Sequence, residues 1–212
     1  MDRRSFLKGA AVATFGLAAP AILSSRSADA ASRYFSGTVI DDGFEFEATN
    51  FSVIHPRWRR QMVQYYSDEP QGTVVVDTRY HHLYWIWEND TALRYGVGVG
   101  REGFQWFGRA NIARKARWPR WVPPAEMKVR QPELPDSWDG GPGNPLGPRA
   151  LYLHNQTGDT GYRLHGTTQP WTIGTDVSSG CIRMFNEDVI DLYRRCPKGT
   201  AVLVLEHIAD RV

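Results

Sequence analysis

Residues 72–100 place the tightest limit on what this chain can fold into. They read GTVVVDTRYHHLYWIWENDTALRYGVGVG and are rich in β-branched and aromatic residues, with polar breaks at DTR and END. Such runs are typical of strands separated by turns, so we predict three successive strands of an antiparallel meander. The uninterrupted valines at 74–76 predict a strand that is covered on both faces.

Further strand-like segments predict that β structure dominates the rest of the chain. ALYLHN at 150–155, GYRLHG at 161–166 and TAVLVLEHI at 200–208 all have this character. One clear helix is predicted from Asn186, as its N-cap, to Pro197. The buried face of this helix is expected to consist of Val189, Leu192, Tyr193 and Cys196. The chain should therefore be mainly β, a β-sandwich or barrel-like domain with one or two helices.

Two other regions have weaker patterns. A short helix is predicted within HPRWRRQMVQYYSDE, residues 55–69, with Trp58, Met62 and Tyr65 on one face. Residues 101–149 are interpreted as rich in loops, because much of this stretch is dense in proline and glycine. Ordered loops of that length usually serve as lids or binding loops.

The N-terminus has the features of an export signal. Twin arginines at 3–4 precede SFLK, an apolar stretch covers 9–23, and small residues at 28–30 offer a cleavage site. We predict that residues 1–30 are a twin-arginine signal peptide, cleaved after Ala30, and that the mature protein is periplasmic. Because the apolar stretch is shorter than the roughly 20 residues that span a bilayer, no integral membrane segment is expected in the mature chain.

Cleavage of this signal also removes the apparent basicity of the chain. The full sequence has a formal net charge of +2, but residues 1–30 hold four basic and two acidic residues, so the mature chain is neutral. A neutral exported protein has no global electrostatic attraction for nucleic acid, and nucleic acid is not expected as a partner.

The cysteine content argues against a disulfide scaffold. The two cysteines are Cys181 and Cys196, far fewer than a small secreted scaffold would hold. Cys196 lies on the apolar stripe of the predicted helix and is interpreted as a buried small hydrophobe. Cys181 precedes that helix, where backbone dipoles would shift its thiol toward the thiolate.

Cys181 has two interpretations that the residues alone leave equally open. In the first it is a nucleophile, with His165 at the end of a strand as its base and the amides of Gly180 and Cys181 facing an oxyanion. In the second it is a buried structural thiol. Spacing along the chain does not place the imidazole against the sulfur.

The remaining histidines lack the spacing of metal ligands. His81 and His82 would point to opposite faces of a strand, and no HExxH or cysteine-rich pattern surrounds His154. Neither a metal nor a cofactor is expected.

The residues around His165 and Cys181 resemble the signature of a known family. HGT at 165–167, followed after a gap by SSGCIRM at 178–184, resembles the L,D-transpeptidase catalytic domain (YkuD) family. The residues that carry the resemblance are His165, Gly166, Thr167, Ser178, Gly180, Cys181, Ile182 and Arg183. It covers about residues 70–207 and implies a β-sandwich with a Cys–His pair in a groove under a mobile loop. The expected domains are the signal peptide, an N-terminal extension at 31–69 and a catalytic domain at 70–208.

The resemblance implies a peptidoglycan L,D-transpeptidase that acts in cell-wall biogenesis. Cys181 would attack the diamino-acid carbonyl of a tetrapeptide stem and hold the acyl group as a thioester until a neighbouring amine forms the cross-link. His165 would serve as general base and acid. The backbone carbonyl of Ser179 would orient His165, and Gly180 would line the oxyanion hole. Ser179 stands where the family often has histidine, so a carbonyl role survives there and a side-chain role does not.

Several further residues are expected to contact the substrate. Arg183 is the candidate for the carboxylates of the stem, because its planar fork suits them, with a structural salt bridge as the alternative. The other candidates are Ser178, Gly166, Thr167 and Trp171. Trp118 and Trp121 are expected to pack their loop onto the domain, and a glycan or stem-peptide contact is the alternative.

The acyl acceptor is not defined by the sequence. A same-fold L,D-carboxypeptidase or amidase, and an enzyme that attaches an envelope protein to the wall or detaches it, are the alternatives within the fold. A noncatalytic wall-binding module is the alternative from another class. Peptidoglycan stem peptides are the expected partners, with an envelope protein as a further acyl acceptor.

Overall fold

Strands dominate the computed structural model, which describes residues 30–101, 106–178 and 180–206. The strands are β1 Phe35–Asp41, β2 Phe44–Thr49, β3 Gln61–Gln64, β4 Val74–Asp77, β5 His82–Ile86, β6 Thr91–Gly100, β7 Gly108–Arg117, β8 Arg149–Asn155, β9 Gly158–His165, β10 Asp176–Ser178, β11 Ile182–Met184 and β12 Ala201–Val204. The α-helices are α1 Ala125–Arg130 and α2 Asn186–Arg195, with short 3₁₀ turns at Pro56–Trp58 and Pro170–Thr172. The prediction of a mainly β chain with few helices is confirmed.

The large sheet closes on itself. Its strands follow the order β10-β6-β11-β9-β8-β7-β12-β4-β5, and β5 also pairs with β6, which gives a barrel-like layer. The predicted meander is confirmed as β4, β5 and β6, with Val74 opposite Trp85 and Tyr84 opposite Arg94 in antiparallel pairs. The valines of β4 are at most 1% exposed and so are covered on both faces.

Helix α2 covers the part of the sheet that carries the candidate site. Val189 and Leu192 belong to the main cluster of buried side chains, together with Leu151 and Leu153 of β8. Cys196 follows the helix directly and is fully buried, as its position on the apolar stripe predicts. The contacts of α2 with β8 therefore fix the strands next to it, including β9.

The helix predicted at 55–69 is wrong. The chain forms a 3₁₀ turn at Pro56–Trp58 and then strand β3, which pairs antiparallel with β6 from Gln61 opposite Arg94 to Gln64 opposite Thr91. Pairing with β6 satisfies the backbone of this segment and leaves Met62 exposed, so the apolar spacing seen in the sequence does not mark a buried helical face.

The loop interpretation of residues 101–149 is wrong in part. Residues 108–117 form β7, which pairs with β8 on one side and β12 on the other. Along β7, Ala110 and Ile112 are buried, whereas Arg109 and Asn111 are exposed. The many basic residues of this segment obscure that alternation in the sequence. Beyond β7, Trp118 is buried, and Trp121 pairs through its backbone with Trp138.

Strands β1 and β2 form a separate hairpin before the large sheet. Its turn at Asp42 and Gly43 has positive φ at both residues, as a two-residue hairpin turn requires. The carboxylate of Asp41 accepts hydrogen bonds from both terminal nitrogens of Arg149 at 2.6 and 2.7 Å, and Glu187 accepts from the backbone and hydroxyl of Thr49. The hairpin is thereby attached to β8 and to the first turn of α2.

The predicted export signal falls almost entirely on residues 1–29, which lie outside the described part of the chain. Within the part described, no helix is both long and apolar enough to cross a bilayer.

Candidate active site

Strands β9 and β11 place His165 and Cys181 on the same face of the sheet. The two strands pair in parallel, with Leu164 opposite Ile182 and His165 opposite Arg183. Leu164 and Ile182 point into the core, so His165 and the residue that precedes Ile182, Cys181, both lie on the opposite face. His165 and Cys181 are diagonal neighbours in this register. Residues so related on adjacent strands are about 7–8 Å apart, which is within reach of aromatic and long side chains.

The His165 imidazole is held in one tautomer by its own loop. Nδ1 lies 2.6 Å from the carbonyl oxygen of Gly166, and because a carbonyl only accepts, Nδ1 carries the hydrogen. Nε2 is then left with a lone pair that can accept a proton. Burial, followed by the charge of Arg183, lowers the pKa of His165 to about 3, so the ring is neutral near pH 7.

Burial favours the neutral form of the Cys181 thiol, contrary to the prediction of a thiolate favoured by a helix. Cys181 precedes β11, and α2 begins only at Asn186, so the dipole of that helix does not act on the sulfur directly. The residue is half-buried, and desolvation raises the pKa of its thiol. The guanidinium and backbone N–H of Arg163, and then Arg183, lower that pKa and partly offset the burial.

Cys196 does not compete with this sulfur. Both cysteines are free thiols, and burial raises the pKa of Cys196 to about 12. A thiol with so high a pKa is almost wholly protonated near neutral pH and is a poor nucleophile.

The loop that leads into Cys181 is fastened by Ser178. Its buried hydroxyl donates to the carbonyl oxygen of Cys181 at 2.6 Å and accepts from the N–H of Gly180 at 3.1 Å. The Gly180 amide therefore already has an acceptor in this state and must exchange it to bind an oxyanion. Gly180 has a φ of 115°, a conformation that favours glycine.

Ser179, predicted to orient His165, lies outside the described residues. The carbonyl seen against the imidazole is that of Gly166.

Gly166 and Thr167 are held from behind by Asn186. The Oδ1 atom of Asn186 accepts from the N–H of Thr167 at 2.9 Å, whereas the N-cap position of α2 is taken by Phe185, without a side-chain cap. The prediction of Asn186 as N-cap is therefore wrong, because its side chain serves this longer-range bond instead. A Cβ on Gly166 would collide with Asn186 Oδ1, so glycine is required for the close approach.

Arg183 and Trp171 are the remaining predicted contacts for substrate. Arg183 donates to the Oε1 atom of Gln169 at 3.1 Å, a neutral partner, and the described residues place no carboxylate in an ion pair with it. Trp171 is 38% exposed and lies against Tyr34 and Phe35 of the N-terminal segment. The predicted substrate contacts stay predictions for all five residues, Arg183, Trp171, Ser178, Gly166 and Thr167. The hydrogen bonds of Ser178 and Thr167 described above are made to other residues of the site.

A cavity lies beside the HGT loop. It has a volume of about 550 Å³ and is bordered by the β1–β2 hairpin, by Pro142 and Gly143, and by Thr168 and Asn186. The hairpin and the proline- and glycine-rich loop thus form the walls of a groove that reaches Thr168, in the loop that follows His165.

The sequence analysis did not assign Arg163 to the site, nor the contact that Asn186 makes there. Arg163 stands two positions before His165 on β9, so the period-two alternation of a strand could have placed both on the same face. The bond from Thr167 to Asn186 joins residues that are distant in the chain, and no local pattern indicates it.

The other histidines have partners of their own. His81 Nε2 lies 2.9 Å from Asp176 Oδ1, and His82 Nε2 lies 3.1 Å from the carbonyl oxygen of Arg57. Among the described residues, no group of three or more potential ligands is placed to hold a metal ion.

Comparison with known proteins identifies a family for the chain. The family model of the L,D-transpeptidase catalytic domain, YkuD, matches residues 71–204. The probable L,D-transpeptidase YbiS of Escherichia coli strain K12 is 31% identical over 144 residues, covering 64% of this chain and 45% of that protein. The chain therefore spans about half the length of this curated relative.

Two solved structures are also similar. The Ldtfm–avibactam carbamoyl enzyme is 17% identical, covers 66% of this chain and 50% of that chain, and superposes with a TM-score of 0.51, which supports the fold. A structure from Brucella melitensis, described as a probable carnitine operon oxidoreductase CaiA, is 48% identical over 74% of this chain and 99% of that chain, with a TM-score of 0.49. That second likeness carries no functional conclusion.

Proposed function

This chain belongs to the family of L,D-transpeptidase catalytic domains, and we propose that it cross-links peptidoglycan through a thioester on Cys181. The observation that supports the proposal most directly is the shared face of β9 and β11. There the tautomer of His165 set by Gly166 leaves Nε2 as an acceptor on the same side of the sheet as the Cys181 thiol.

Acylation begins from a neutral pair. Nε2 of His165 takes the thiol proton as the sulfur attacks the diamino-acid carbonyl of a tetrapeptide stem. The tetrahedral intermediate collapses when the imidazolium returns the proton to the nitrogen of the terminal D-alanine, which leaves as the free amino acid. The acyl group stays on the sulfur as a thioester, and His165 is neutral again.

Deacylation repeats the proton transfer with a new nucleophile. The side-chain amine of a diamino acid on a neighbouring stem attacks the thioester, His165 takes the proton that the amine loses, and the thiolate leaves. Return of that proton to the sulfur regenerates the thiol and leaves an L,D cross-link. Water or an amine of an envelope protein in place of the stem amine would make the enzyme a carboxypeptidase or a protein-attaching enzyme.

Arg183 supplies the charge for substrate binding in this proposal. Its guanidinium is bonded to a neutral amide, so its positive charge is available to a carboxylate of the stem. It also stands opposite His165 in the parallel ladder, which places a bound carboxylate next to the reacting groups.

The site of action in the proposal is the periplasm, reached by the twin-arginine route with cleavage after Ala30. The support for this is the sequence of residues 1–30, with twin arginines before SFLK and an apolar stretch. A fusion of these residues to a reporter that is active only after twin-arginine export tests it, with Arg3→Lys plus Arg4→Lys as the control.

Mass spectrometry of the intact protein tests the nucleophile. A carbapenem should add to the wild type and to Cys196→Ala and leave Cys181→Ala unmodified. An adduct on Cys181→Ala would contradict the assignment. No adduct on the wild type would favour a noncatalytic wall-binding module.

Product analysis with purified disaccharide tetrapeptides tests the reaction. Dimeric muropeptides are the expected product. Shortened monomers alone would show that water is the acceptor and that the enzyme is a carboxypeptidase.

A further inference from the structure

A row of side chains crosses the sheet and ends at the candidate nucleophile. Arg114 of β7 pairs with Tyr152 of β8, and Tyr152 pairs with Arg163 of β9. Strand β9 also pairs with β11 through Leu164 opposite Ile182, and one step back along both segments the register sets Arg163 against Cys181. The backbone N–H of Arg163 acts on the Cys181 sulfur, in agreement with this placement. Arg163 is therefore the neighbour of Cys181 across the ladder, while Arg183 has the same relation to His165.

The Arg163 guanidinium is held in place from two sides. Its Nη2 donates to Asp159 Oδ2 at 2.9 Å, and its Cζ lies 5.1 Å from the centre of the Tyr152 ring. The same buried ring carries the guanidinium of Arg114 at 3.4 Å. The Arg163 side chain is 22% exposed, so its charge is screened by water less than a surface charge would be.

We propose that Arg163 is a positioning residue that stabilises the thiolate of Cys181 during acylation, through its fixed guanidinium charge and its backbone N–H. The inference deepens the proposed function and rests on Cys181 being the nucleophile. Arg163 and Arg183 then have different tasks: Arg163, anchored by Asp159, acts on the sulfur, and Arg183, bonded to a neutral amide, is available to substrate.

The charges that face the sulfur are consistent with this division. Burial raises the pKa of the Cys181 thiol, and the largest opposing influences come from Arg163, first its charge and then its backbone N–H. Arg183 lowers the pKa less, and the Asp159 carboxylate raises it slightly. The positive charge of Arg163 thus outweighs the negative charge of its own partner at the sulfur.

The pH dependence of alkylation measures this effect without peptidoglycan. In the full chain carrying Cys196→Ala, the rate of iodoacetamide addition to Cys181 is followed by mass spectrometry against pH, which reports the thiol pKa. Arg163→Gln should raise that pKa and slow alkylation at neutral pH at least about threefold. Arg163→Lys, which keeps the charge, should restore most of the wild-type rate.

Two further variants separate charge from packing. Arg163→Met keeps an unbranched side chain against Tyr152 but removes the charge, so its thiol pKa should match that of Arg163→Gln. It takes the place of Arg163→Gln if that variant does not fold. Arg114→Gln removes the other guanidinium from the same ring and should leave the thiol pKa unchanged. An unaltered pKa in a folded Arg163→Gln or Arg163→Met variant would overturn the inference.

The two proposals fail in different ways in these experiments. If the wild type makes dimeric muropeptides while uncharged substitutions at 163 leave the thiol pKa unchanged, the role of Arg163 is wrong and the function stands. If those substitutions raise the pKa but the wild type releases no product from tetrapeptides, the electrostatic role stands and the proposed reaction is wrong.

Discussion

The Nδ1 atom of His165 lies 2.6 Å from the carbonyl oxygen of Gly166, inside a site that excludes water from the imidazole. Burial and the charge of Arg183 lower the pKa of this ring to about 3, compared with 6.5 for an unperturbed histidine. The base is therefore already neutral at pH values at which an ordinary histidine would be protonated. Since burial also raises the pKa of the Cys181 thiol, the surroundings of both groups favour their neutral forms over a preformed ion pair.

This arrangement predicts the acid side of the pH profile. The second-order rate of carbapenem acylation should show no decline centred near pH 6.5 and should fall through protonation of His165 only as the pH approaches about 3. Stopped-flow measurement of acylation against pH checks it, with circular dichroism at each pH to confirm that the protein is folded. A decline with an apparent pKa between 6 and 7 would show that the imidazole is far better solvated than its position indicates.

The bond from Thr167 to Asn186 predicts a variant that impairs the site from behind. Asn186→Ala removes the acceptor of the Thr167 N–H, which should cost about 1–3 kcal/mol of unfolding free energy. The HGT loop would lose its support, and acylation should slow by about ten- to a hundredfold because His165 is misplaced.

Asn186→Asp is the matched control for that variant. It keeps an oxygen acceptor and adds negative charge to the first turn of α2, where the helix dipole favours it. Acylation should therefore stay closer to the wild-type rate than in Asn186→Ala. Equal rates in Asn186→Ala and the wild type would show that the HGT loop holds its shape without this bond.

The strand and helix patterns that could be predicted are those in which residues close in sequence determine the outcome. Val74, Val75 and Val76 leave few alternatives to a doubly covered strand, and the apolar stripe of α2 correctly predicts that Cys196 is buried. The period-two alternation of a strand likewise places Arg163 and His165 on the same face of β9. The helix predicted at 55–69 is wrong because Trp58, Met62 and Tyr65 fit helical spacing by chance. The segment instead forms a 3₁₀ turn at Pro56–Trp58 and then β3, which pairs with β6.

The details of the site depend on contacts between distant segments. The parallel pairing of β9 with β11 decides which residues face Cys181, and it joins segments that are separated by the whole HGT loop and the 3₁₀ turn after it. Sequence reasoning predicted a thiol activated by a helix N-terminus because Cys181 is close to α2 along the chain. The three strand residues 182–184 between them remove that effect, and Arg163, on a neighbouring strand, supplies the positive charge instead.

The ion pair between Asp41 and Arg149 predicts that the hairpin is part of the folded domain. The side chain of Arg149 is 5% exposed and that of Asp41 10%, so Asp41→Ala would remove the two shortest contacts of a buried guanidinium with a carboxylate. The Asp42 carboxylate at 3.2 Å and the Pro148 carbonyl oxygen at 2.7 Å would remain. Removal of one partner of a buried pair should lower the unfolding free energy by about 3 kcal/mol.

Chemical denaturation and hydrogen exchange measure this loss together. Asp41→Ala should lower the denaturation midpoint and reduce exchange protection in β1 and β2. Arg117→Ala is the control, because it removes an exposed ion pair with Asp42 and should change stability by less than about 1 kcal/mol. An Asp41→Ala variant as stable as the wild type would mean that the hairpin contributes little to the stability of the domain.

Asp188 predicts an unusual dependence of stability on pH. It is 1% exposed, its Oδ2 atom has no hydrogen-bond partner among the described residues, and its nearest cation, Arg60, lies 3.7 Å from Oδ1. Burial raises the pKa of this carboxyl from 3.8 to about 7, despite Arg60. Because the folded value is the higher one, the folded state binds the proton more tightly, and the stability that this provides is lost as the pH rises from 3.8 to about 7.

Asp188→Asn removes this titration, so its unfolding free energy relative to the wild type should increase with pH across that window. The slope should be at most about 1.4 kcal/mol per pH unit, with a plateau above about pH 7. Asp191→Asn should change in the opposite direction and in a different window, at and below pH 3.8, with little change above it. Burial raises the pKa of Asp191, but hydrogen bonds from Arg195 and Tyr95 outweigh burial and lower that pKa below 3.8. Denaturant titrations of the three proteins at several pH values measure both trends, and a difference between Asp188→Asn and wild type that does not vary with pH would show that Asp188 is already ionised in the fold.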